Sequence, residues 1–334
     1  MTKRKTSRGD GVGDEIVITW PAYDASGVDC GGLLTQAGFA LRMEPRTGER
    51  SAAQMVSVVS DAVGAIASTD PFDEVVFSAC PRLRVIARTG VGYDAIDVAA
   101  ATDAGVAVTI TPGANEEAVA DHTLALMLSI RRLLATNDAE IRFGRWERTG
   151  PHVPPDLYSA TVGLIGCGAI GRAVIRRLSA FGARVLVSDP YLDAPPEGAR
   201  LVDLATLLGS SDIVSVHASL NETTRGMIGP DEFAAMRPGA TFVNVARGGL
   251  VVEDALADAL ESGHLAGAGI DTFENEPPRD SRLLHLPTAV LSPHIAGMSI
   301  DSIRRMNAMA TESVLAVLAG QRPDTCINPD VFSP

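Results

Sequence analysis

The sequence contains few cysteines, and they lie far apart. Its 334 residues include only Cys30, Cys80, Cys167 and Cys326, with no Cys-x-x-Cys pair and no cysteine–histidine cluster. This spacing favours neither a disulfide framework nor a zinc site, so we predict no bound metal. Cys167 falls inside a glycine-rich turn, and we interpret it as a small side chain that the turn tolerates rather than as a reactive thiol.

Long apolar runs and an excess of positive charge are also missing. The richest apolar run, Leu124 to Ile130, is much shorter than the roughly 20 residues that a membrane-spanning helix needs. The formal net charge of −13 argues against nucleic acid as a partner, because phosphate binding requires a basic face. Basic residues occur at 3–8, but no apolar run follows them. We therefore expect a disordered tail rather than a signal peptide, and a cytoplasmic protein.

A strand, a glycine turn and a helix follow one another between residues 160 and 190. The apolar run ending at Ile165 is typical of a buried parallel strand, and Gly166, Gly168 and Gly171 then form G-x-G-x-x-G. Glycine permits positive φ at the first position, approach of a pyrophosphate at the second and close helix packing at the third. The N–H groups at the start of the helix would face the phosphates. We predict a dinucleotide site that uses the following residues: Gly166, Gly168, Ala169, Ile170 and Gly171.

An acidic residue ends this segment. The next predicted strand, Arg184 to Ser188, is followed by Asp189. Its carboxylate can accept both hydroxyls of an adenosine ribose and would repel a 2′-phosphate, and no Arg or Lys follows it closely. NAD is therefore favoured over NADP as the cofactor.

Strands and helices alternate along the whole chain. The segment from Glu15 to Ala87 is typical of repeated β-α-β units, and residues 161–293 contain six further predicted strands. Repeated β-α-β order indicates parallel sheets covered by helices. We predict an α/β protein of two doubly wound parallel-sheet domains, in which a Rossmann NAD-binding domain (114–298) is inserted in a flavodoxin-like substrate domain (1–113 and 299–334).

Polar side chains follow three of the predicted strands of the second domain. Arg247 comes after FVNVA, Glu276 shortly after GAGID, and His294 after AVLSP. Taken singly, each is typical of a solvated loop or a core residue. Ligands of open α/β sheets bind outside the carboxyl ends of the strands, however, and this shared location favours a catalytic site. Arg247 would hold a carboxylate or carbonyl oxygen, His294 would transfer a proton, and Glu276 would orient the imidazole and favour its charged form.

Three other features have weaker support. His217 also follows a strand, and we predict that it lines the cofactor site without a catalytic role. His122 lies on the helix between the two domains, where packing or an interface is favoured over chemistry. Gly90 and Gly92 flank Val91, and this turn is either a nest of N–H groups for a carboxylate or a plain turn into a helix.

Several motifs together resemble the D-isomer-specific 2-hydroxyacid dehydrogenases, particularly their phosphoglycerate dehydrogenase-like branch. They are GLIGCGAIG with Asp189, RTGVGYDAID, NEEAVADHTLALML, NVARGGLV, GIDTFENEPP and LSPHIAG, and the resemblance runs from about Ile66 to Gly297. It implies an NAD-dependent oxidoreductase acting on the CH–OH group of a 2-hydroxy acid, or on the keto acid in reverse. It also implies a homodimer formed around the cofactor domain.

The same resemblance implies roles for individual residues. The catalytic Arg, Glu and His of the family fall on Arg247, Glu276 and His294. The main chain of Val91 and Gly92 would bind the substrate carboxylate. Three further positions would belong to the cofactor site: Thr123, Ala246 and Asp271. Asp271 would line the nicotinamide end of this site and also support the active site.

One departure from the family pattern bears on the substrate. Phosphoglycerate dehydrogenases carry an Arg-Ser pair where this chain has Ala67 and Ser68, so the phosphate-binding charge is missing unless Arg82 or Arg84 replaces it. We therefore expect 3-phosphoglycerate to be a doubtful substrate. The alternatives are a hydroxypyruvate or glyoxylate reductase, a phosphite dehydrogenase, or a non-enzymatic NAD-sensing protein similar to the corepressors of this fold. Glu276 argues against formate dehydrogenases, which have glutamine there.

Overall fold

The chain forms two compact units, Met1–Ala114 with Ile300–Pro334, and Asn115–Ser299. The structure, a computed structural model, describes residues 13–23, 25, 27, 29–150 and 153–333. The expected tail at residues 3–8 lies outside the described residues. Among those described, no helix combines the length and the apolar character that crossing a membrane requires.

The first unit contains a five-stranded parallel sheet in the order β2-β1-β3-β4-β5. The strands are β1 (Glu15–Ile18), β2 (Ala40–Met43), β3 (Ala62–Ala67), β4 (Val85–Arg88) and β5 (Ala107–Thr109). The intervening helices are α1 (Cys30–Gln36), α2 (Ala52–Val59), α3 (Glu74–Ala79) and α4 (Val98–Asp103). Strands β3 and β4 are buried throughout, because helices cover both faces of such a sheet. The strand order is the predicted flavodoxin-like one.

The second unit contains a seven-stranded parallel sheet in the order β12-β11-β10-β9-β6-β7-β8. The strands are β6 (Thr161–Ile165), β7 (Arg184–Ser188), β8 (Arg200–Leu201), β9 (Ile213–Val216), β10 (Ala240–Asn244), β11 (Leu265–Ile270) and β12 (Ala289–Leu291). The helices are α5 (Glu116–Arg131), α6 (Leu134–Arg142), α7 (Ala169–Ala180), α8 (Leu204–Ser210), α9 (Pro230–Ala235) and α10 (Glu253–Glu261). This Rossmann order confirms the predicted fold class. The expected six strands were one too few, because β8 is too short to show a periodic pattern.

The last helix, α11 (Ile300–Leu318), packs on the sheet of the first unit, against β3 and β4. Two buried polar pairs join it to the loop after β1. The Trp20 indole donates to Asn307 Oδ1 at 3.0 Å, and the Tyr23 hydroxyl bonds to Thr311 Oγ1 at 2.7 Å. Since buried polar groups are costly without partners, these two bonds favour a single orientation of the helix.

Helix α5 lies unusually close to strand β11 because that strand carries glycines. A Cβ on Gly267 would be 2.6 Å from Ile130 Cγ2, and one on Gly269 would be 2.8 Å from Ile130 Cδ1. The absence of these side chains lets the helix approach the sheet. The middle of α5 is thereby held beside the residues that follow β11.

Candidate active site

The turn between β6 and α7 has the geometry of a phosphate cradle. Gly166 has a φ of +88°, and a Cβ on it would lie 2.8 Å from the main chain at His217 and Ala218. A Cβ on Gly171 would be 2.9 Å from the Gly166 carbonyl oxygen, whereas a Cβ on Gly168 would have none of the described residues within 4 Å apart from its chain neighbours. The first and third glycines are therefore needed for the turn itself. The second leaves an open approach to the main chain.

The residues around this turn fit a dinucleotide. Helix α7 begins at Ala169 without a side-chain cap, so its first N–H groups point at the open space with the positive end of the helix dipole. At the end of β7, Asp189 accepts hydrogen bonds from the N–H groups of Cys167 and Tyr191 at 2.8 and 2.9 Å. These bonds hold the carboxylate beside the turn, and its remaining lone pairs can accept ribose hydroxyls.

Cys167 is buried within the turn. Burial raises the pKa of its thiol, which lowers the thiolate fraction that a reactive cysteine needs. The side chain therefore acts as a small apolar residue.

Two further residues predicted for the cofactor site follow β9 and β10, the next two strands of the sheet on one side of β6. His217, after β9, is half-buried and bonds to Ser215 Oγ through Nε2 at 3.0 Å. Its Nδ1 is buried without a hydrogen-bond partner among the described residues. Burial lowers the pKa of His217 to about 4, so the ring is neutral near pH 7. Ala246, after β10, is half-buried and its N–H donates to Asn244 Oδ1 at 3.0 Å.

His294 and Glu276 form a hydrogen-bonded pair. His294 Nδ1 lies 2.8 Å from Glu276 Oε2, while Glu276 Oε1 accepts the N–H of Phe273 at 3.1 Å. About a third of each side chain is accessible, 30% for the histidine and 35% for the glutamate. The carboxylate is thus fixed at both oxygens and holds the imidazole by its Nδ1–H. This leaves Nε2 for proton exchange with a ligand.

Arg247 belongs to the same edge of the sheet. It follows β10 and donates from Nη1 to the Ala246 carbonyl at 2.8 Å, while Asn244 Nδ2 donates to the Arg247 carbonyl at 2.9 Å. Gly248 then packs against the main chain at Phe273, where no Cβ would fit. The loops after β10 and β11 are therefore in direct contact. Arg247, Glu276 and His294 follow the three neighbouring strands β10, β11 and β12 at the carboxyl edge of one sheet.

The backbone at His294 is strained, and Asp271 holds it. His294 has a φ of +52°, a region that costs a non-glycine residue about 1–3 kcal/mol. Its N–H donates to the Asp271 carbonyl at 2.8 Å. The Asp271 side chain is fully buried and accepts three bonds, from Ser292 Oγ at 2.6 Å, Ile295 N at 3.0 Å and Ala296 N at 2.8 Å. The carboxylate supports the loop that carries His294.

Sequence reasoning missed two members of this arrangement. Ser292 was not considered, although it stands two residues before His294 in LSPH. His122, for which the sequence favours packing or an interface over chemistry, has its Nε2 2.8 Å from Ser292 Oγ and 3.5 Å from Asp271 Oδ1. The sequence offered no clear signal for this role, because His122 lies between two other polar residues, Asp121 and Thr123. The neighbouring Thr123 is buried, and its hydroxyl donates to the Val119 carbonyl at 2.7 Å.

The residues predicted to bind the substrate carboxylate lie in the first unit. Val91 and Gly92 follow β4 and are half-buried. The turn before them is fixed at Gly90, whose φ is +134° and whose N–H donates to Thr111 Oγ1 at 2.7 Å. The two residues are thus presented at the carboxyl edge of this sheet. Their role in binding stays a prediction.

Arg82 and Arg84 are not suitable replacements for the missing phosphate-binding charge. Both precede β4, so they lie at the amino edge of the parallel sheet, where Arg82 pairs with Asp14 at 2.7 Å. Ala67, which stands in place of the arginine, is at the carboxyl end of β3 and is buried. The two arginines therefore lie on the opposite edge from the position that they would have to serve.

Comparisons with known proteins agree with this geometry. Residues 124–296 match the family model described as D-isomer specific 2-hydroxyacid dehydrogenase, NAD binding domain, which confirms NAD as the predicted cofactor. The chain is similar to a D-3-phosphoglycerate dehydrogenase of Mycobacterium leprae, at 40% identity over 79% of this chain and 51% of that protein. A glyoxylate reductase of Korarchaeum cryptofilum is 41% identical over 79% of this chain and 81% of that protein. The match thus spans about half the length of the mycobacterial relative.

Solved structures are similar over nearly the whole chain. The TT0316 protein from Thermus thermophilus superposes with a TM-score of 0.85 at 35% identity, covering 94% of this chain and 99% of that one. A glyoxylate reductase from Paecilomyes thermophila superposes with a TM-score of 0.82 at 33% identity, covering 94% and 98%. On the family model, the relatives and the fold together, this chain belongs to the D-isomer-specific 2-hydroxyacid dehydrogenase family.

Proposed function

We propose that the protein is an NAD-dependent D-2-hydroxyacid dehydrogenase that interconverts a 2-keto acid and the corresponding D-2-hydroxy acid. The observation that carries this proposal is the 2.8 Å pair of His294 and Glu276 at the sheet edge that also bears Arg247 and the glycine turn. The bound cofactor would supply a hydride as NADH in the reducing direction and accept one as NAD⁺ in the oxidising direction. The glycine turn and Asp189 would hold it, by the contacts described above.

His294 serves as the acid–base group in this proposal. In the reducing direction its Nε2–H gives a proton to the carbonyl oxygen as the hydride reaches the carbonyl carbon, and in the oxidising direction Nε2 takes the hydroxyl proton back. Glu276 accepts the Nδ1–H throughout and stabilises the charged imidazolium. Arg247 directs guanidinium N–H groups at the substrate's carboxylate and carbonyl oxygens, which a planar fork of donors suits.

In this proposal one unit binds the cofactor and carries the catalytic side chains, and the other unit binds the substrate. The Asn115–Ser299 unit carries NAD and the catalytic side chains, as the NAD-binding domain. The other unit acts as the substrate domain, and the N–H groups of its residues Val91 and Gly92 donate to the substrate carboxylate.

We infer that the substrate has no phosphate group. The carboxyl end of β3 presents Ala67, a buried apolar residue, and the arginines at 82 and 84 lie at the opposite edge of the sheet. A phosphate there would not meet the arginine that the resemblance places at this position, and the nearby guanidinium groups of Arg46 and Arg50 already bond to Thr69 and Asp70. Among the relatives, glyoxylate reductases carry a name that fits such an acid.

A homodimer in the cytoplasm completes the proposal. Helix α6 has no buried residue, and large apolar side chains are exposed on it and just after it: Leu134, Ile141, Phe143 and Trp146. Exposed apolar patches of this kind are typical of protein–protein interfaces. Light scattering of the double variant Phe143→Ser, Trp146→Ser is expected to give a monomer where the parent protein gives a dimer.

The function is tested by following NADH oxidation with a panel of keto acids. We expect turnover of glyoxylate, hydroxypyruvate or pyruvate and little of 3-phosphohydroxypyruvate. A strong preference for 3-phosphohydroxypyruvate would contradict the inference about phosphate. Absence of turnover with every keto acid would contradict the dehydrogenase proposal, and phosphite-dependent reduction of NAD would then identify the alternative.

A further inference from the structure

We propose that His122 is a positioning residue that holds the loop of His294 in place through Ser292 and Asp271. The four residues come from separate parts of the second unit: α5, the end of β11 and the loop after β12. His122 is not expected to touch the substrate. The inference rests on the proposed function in one respect, namely that His294 is the group whose position matters for turnover.

The direction of the hydrogen bonds follows from the groups involved. Oxygens of the Asp271 carboxylate accept two main-chain N–H groups, and Ser292 Oγ donates its only proton to Asp271 Oδ1 at 2.6 Å. The serine oxygen can therefore only accept from His122 Nε2, 2.8 Å away. This assigns the proton of His122 to Nε2 and makes the relay run from histidine to serine to aspartate.

The relay ends on the segment that carries the catalytic histidine. Asp271 bonds to Ile295 and Ala296 on one side of His294, and to Ser292 on the other. Between these anchors His294 adopts a positive φ of 52°. A non-glycine residue keeps such a conformation only where the surrounding structure over-determines it. His122 contributes to that constraint by fixing the serine hydroxyl on the carboxylate.

The fold provides the reason why a helix residue can reach this loop. Gly267 and Gly269 allow α5 to lie against β11, and the end of that strand is Ile270, next to Asp271. The His122 side chain is 23% accessible and lies 3.5 Å from Asp271 Oδ1. An apolar residue would satisfy a packing role at this position. The observed hydrogen bond to Ser292 indicates that His122 acts through its polar ring nitrogen.

The first experiment compares His122→Leu with His122→Gln. Leucine fills the space without a donor, whereas glutamine places an amide N–H at nearly the reach of Nε2. We expect His122→Leu to lower kcat about 10- to 100-fold, the size typical of losing a residue that orients a catalytic group, with little change in the KM of the keto acid. We expect His122→Gln to stay within a few-fold of the parent protein.

A second readout is independent of turnover. Amide hydrogen exchange of the apoprotein is measured by mass spectrometry on peptides that cover residues 292–298. His122→Leu is expected to accelerate exchange there, because the Ile295 and Ala296 amides lose a firmly held acceptor, and His122→Gln is not. This measurement also distinguishes the two proposals, since it tests the relay even if no keto acid is turned over.

Two further variants serve as controls. Ser292→Ala breaks the relay at its middle with the loss of one oxygen. It is expected to show the slower turnover and faster exchange predicted for His122→Leu, and it provides the test if His122→Leu folds poorly. His264 is a matched control in the same unit, because its Nε2 also bonds to protein oxygens, those of Phe233 and Met236 at 3.0 Å. His264→Leu is expected to leave exchange at 292–298 and kcat unchanged.

The experiments have opposite expected outcomes for a positioning role of His122 and for a purely structural role. Slower turnover and faster local exchange in His122→Leu and Ser292→Ala, with both restored in His122→Gln, support the positioning role. Parent-like kcat and exchange in His122→Leu would overturn it. Equal losses in His122→Leu and His122→Gln, or equal effects of His264→Leu, would overturn it as well, because they would indicate general destabilisation.

Discussion

Gly248 lies directly against the main chain of Phe273, so closely that a Cβ on Gly248 would be 1.9 Å from the Phe273 carbonyl carbon. This contact joins the loop that carries Arg247 to the loop that carries Glu276. Phe273 in turn donates its N–H to Glu276 Oε1. The positions of Arg247 and of Glu276, the hydrogen-bond partner of His294, relative to each other therefore depend on the missing side chain at Gly248.

Replacement of Gly248 by alanine is expected to disturb catalysis. The new methyl group must displace the Phe273–Glu274 main chain and with it the Glu276 carboxylate. We expect kcat to fall by about 100-fold, as small displacements of catalytic groups do, and measure it with NADH and the best keto acid. Gly209→Ala is the matched control, since its Cβ would have only the Ala235 carbonyl oxygen near it, at 3.9 Å. Equal activity of the two variants would contradict the prediction.

Replacement of His294 is expected to lower kcat more than replacement of Glu276. His294→Asn removes the proton donor and is predicted to lower kcat about 10²- to 10⁴-fold, the usual contribution of an acid–base group. Glu276→Gln keeps an acceptor but not the charge, so a smaller loss is expected. NADH binding, followed by fluorescence, should persist in both variants. Near-normal turnover by His294→Asn would exclude the histidine as the acid–base group.

Asp189 is expected to determine cofactor preference. Asp189→Ser removes the charge that would repel a 2′-phosphate, and we predict at least a roughly tenfold fall in the preference for NADH over NADPH, equivalent to about 1.4 kcal/mol. The measurement is the ratio of the two kcat/KM values. Asp193, an exposed residue of the same loop, provides the control substitution Asp193→Ser. If the two variants discriminate alike, the assignment of Asp189 is wrong.

His217 is expected to make the second unit sensitive to acid. Burial lowers the pKa of His217 to about 4 in the folded protein, below the roughly 6.5 of an unperturbed histidine. As pH falls below about 6.5 the unfolded state binds a proton that the folded state does not, so stability decreases down to about pH 4. The contribution amounts to at most about 3 kcal/mol at 1.36 kcal/mol per pKa unit.

The test of this contribution is a pair of urea titrations of the apoprotein at pH 7.5 and pH 4.5. His217→Asn, which does not titrate in this range, is expected to lose less free energy of unfolding between the two pH values than the parent protein does. An identical loss in both proteins would show that His217 is already charged when folded, or that its pKa is the same in the unfolded chain.

Local sequence patterns predicted much of the fold and the site. Sequence patterns located the glycine turn, the acid at the end of β7 and the three polar residues after β10, β11 and β12. Each of these lies a short distance along the chain from an apolar strand. The alternation of strands and helices was sufficient for two parallel sheets. The two-residue strand β8 could not be predicted from the sequence. It is too short to show an alternating pattern, and it is a strand only because it pairs with β7.

The chain by itself therefore determined the fold class, the cofactor turn and the identity of the polar residues at the edge of the NAD-binding sheet. Only the tertiary structure decided how those residues are held. The bonds of Asp271 to the loop of His294, and the contact of His122 with Ser292, join positions up to 170 residues apart. No periodicity or spacing encodes such pairs, because they arise where a helix and two strand ends meet in space.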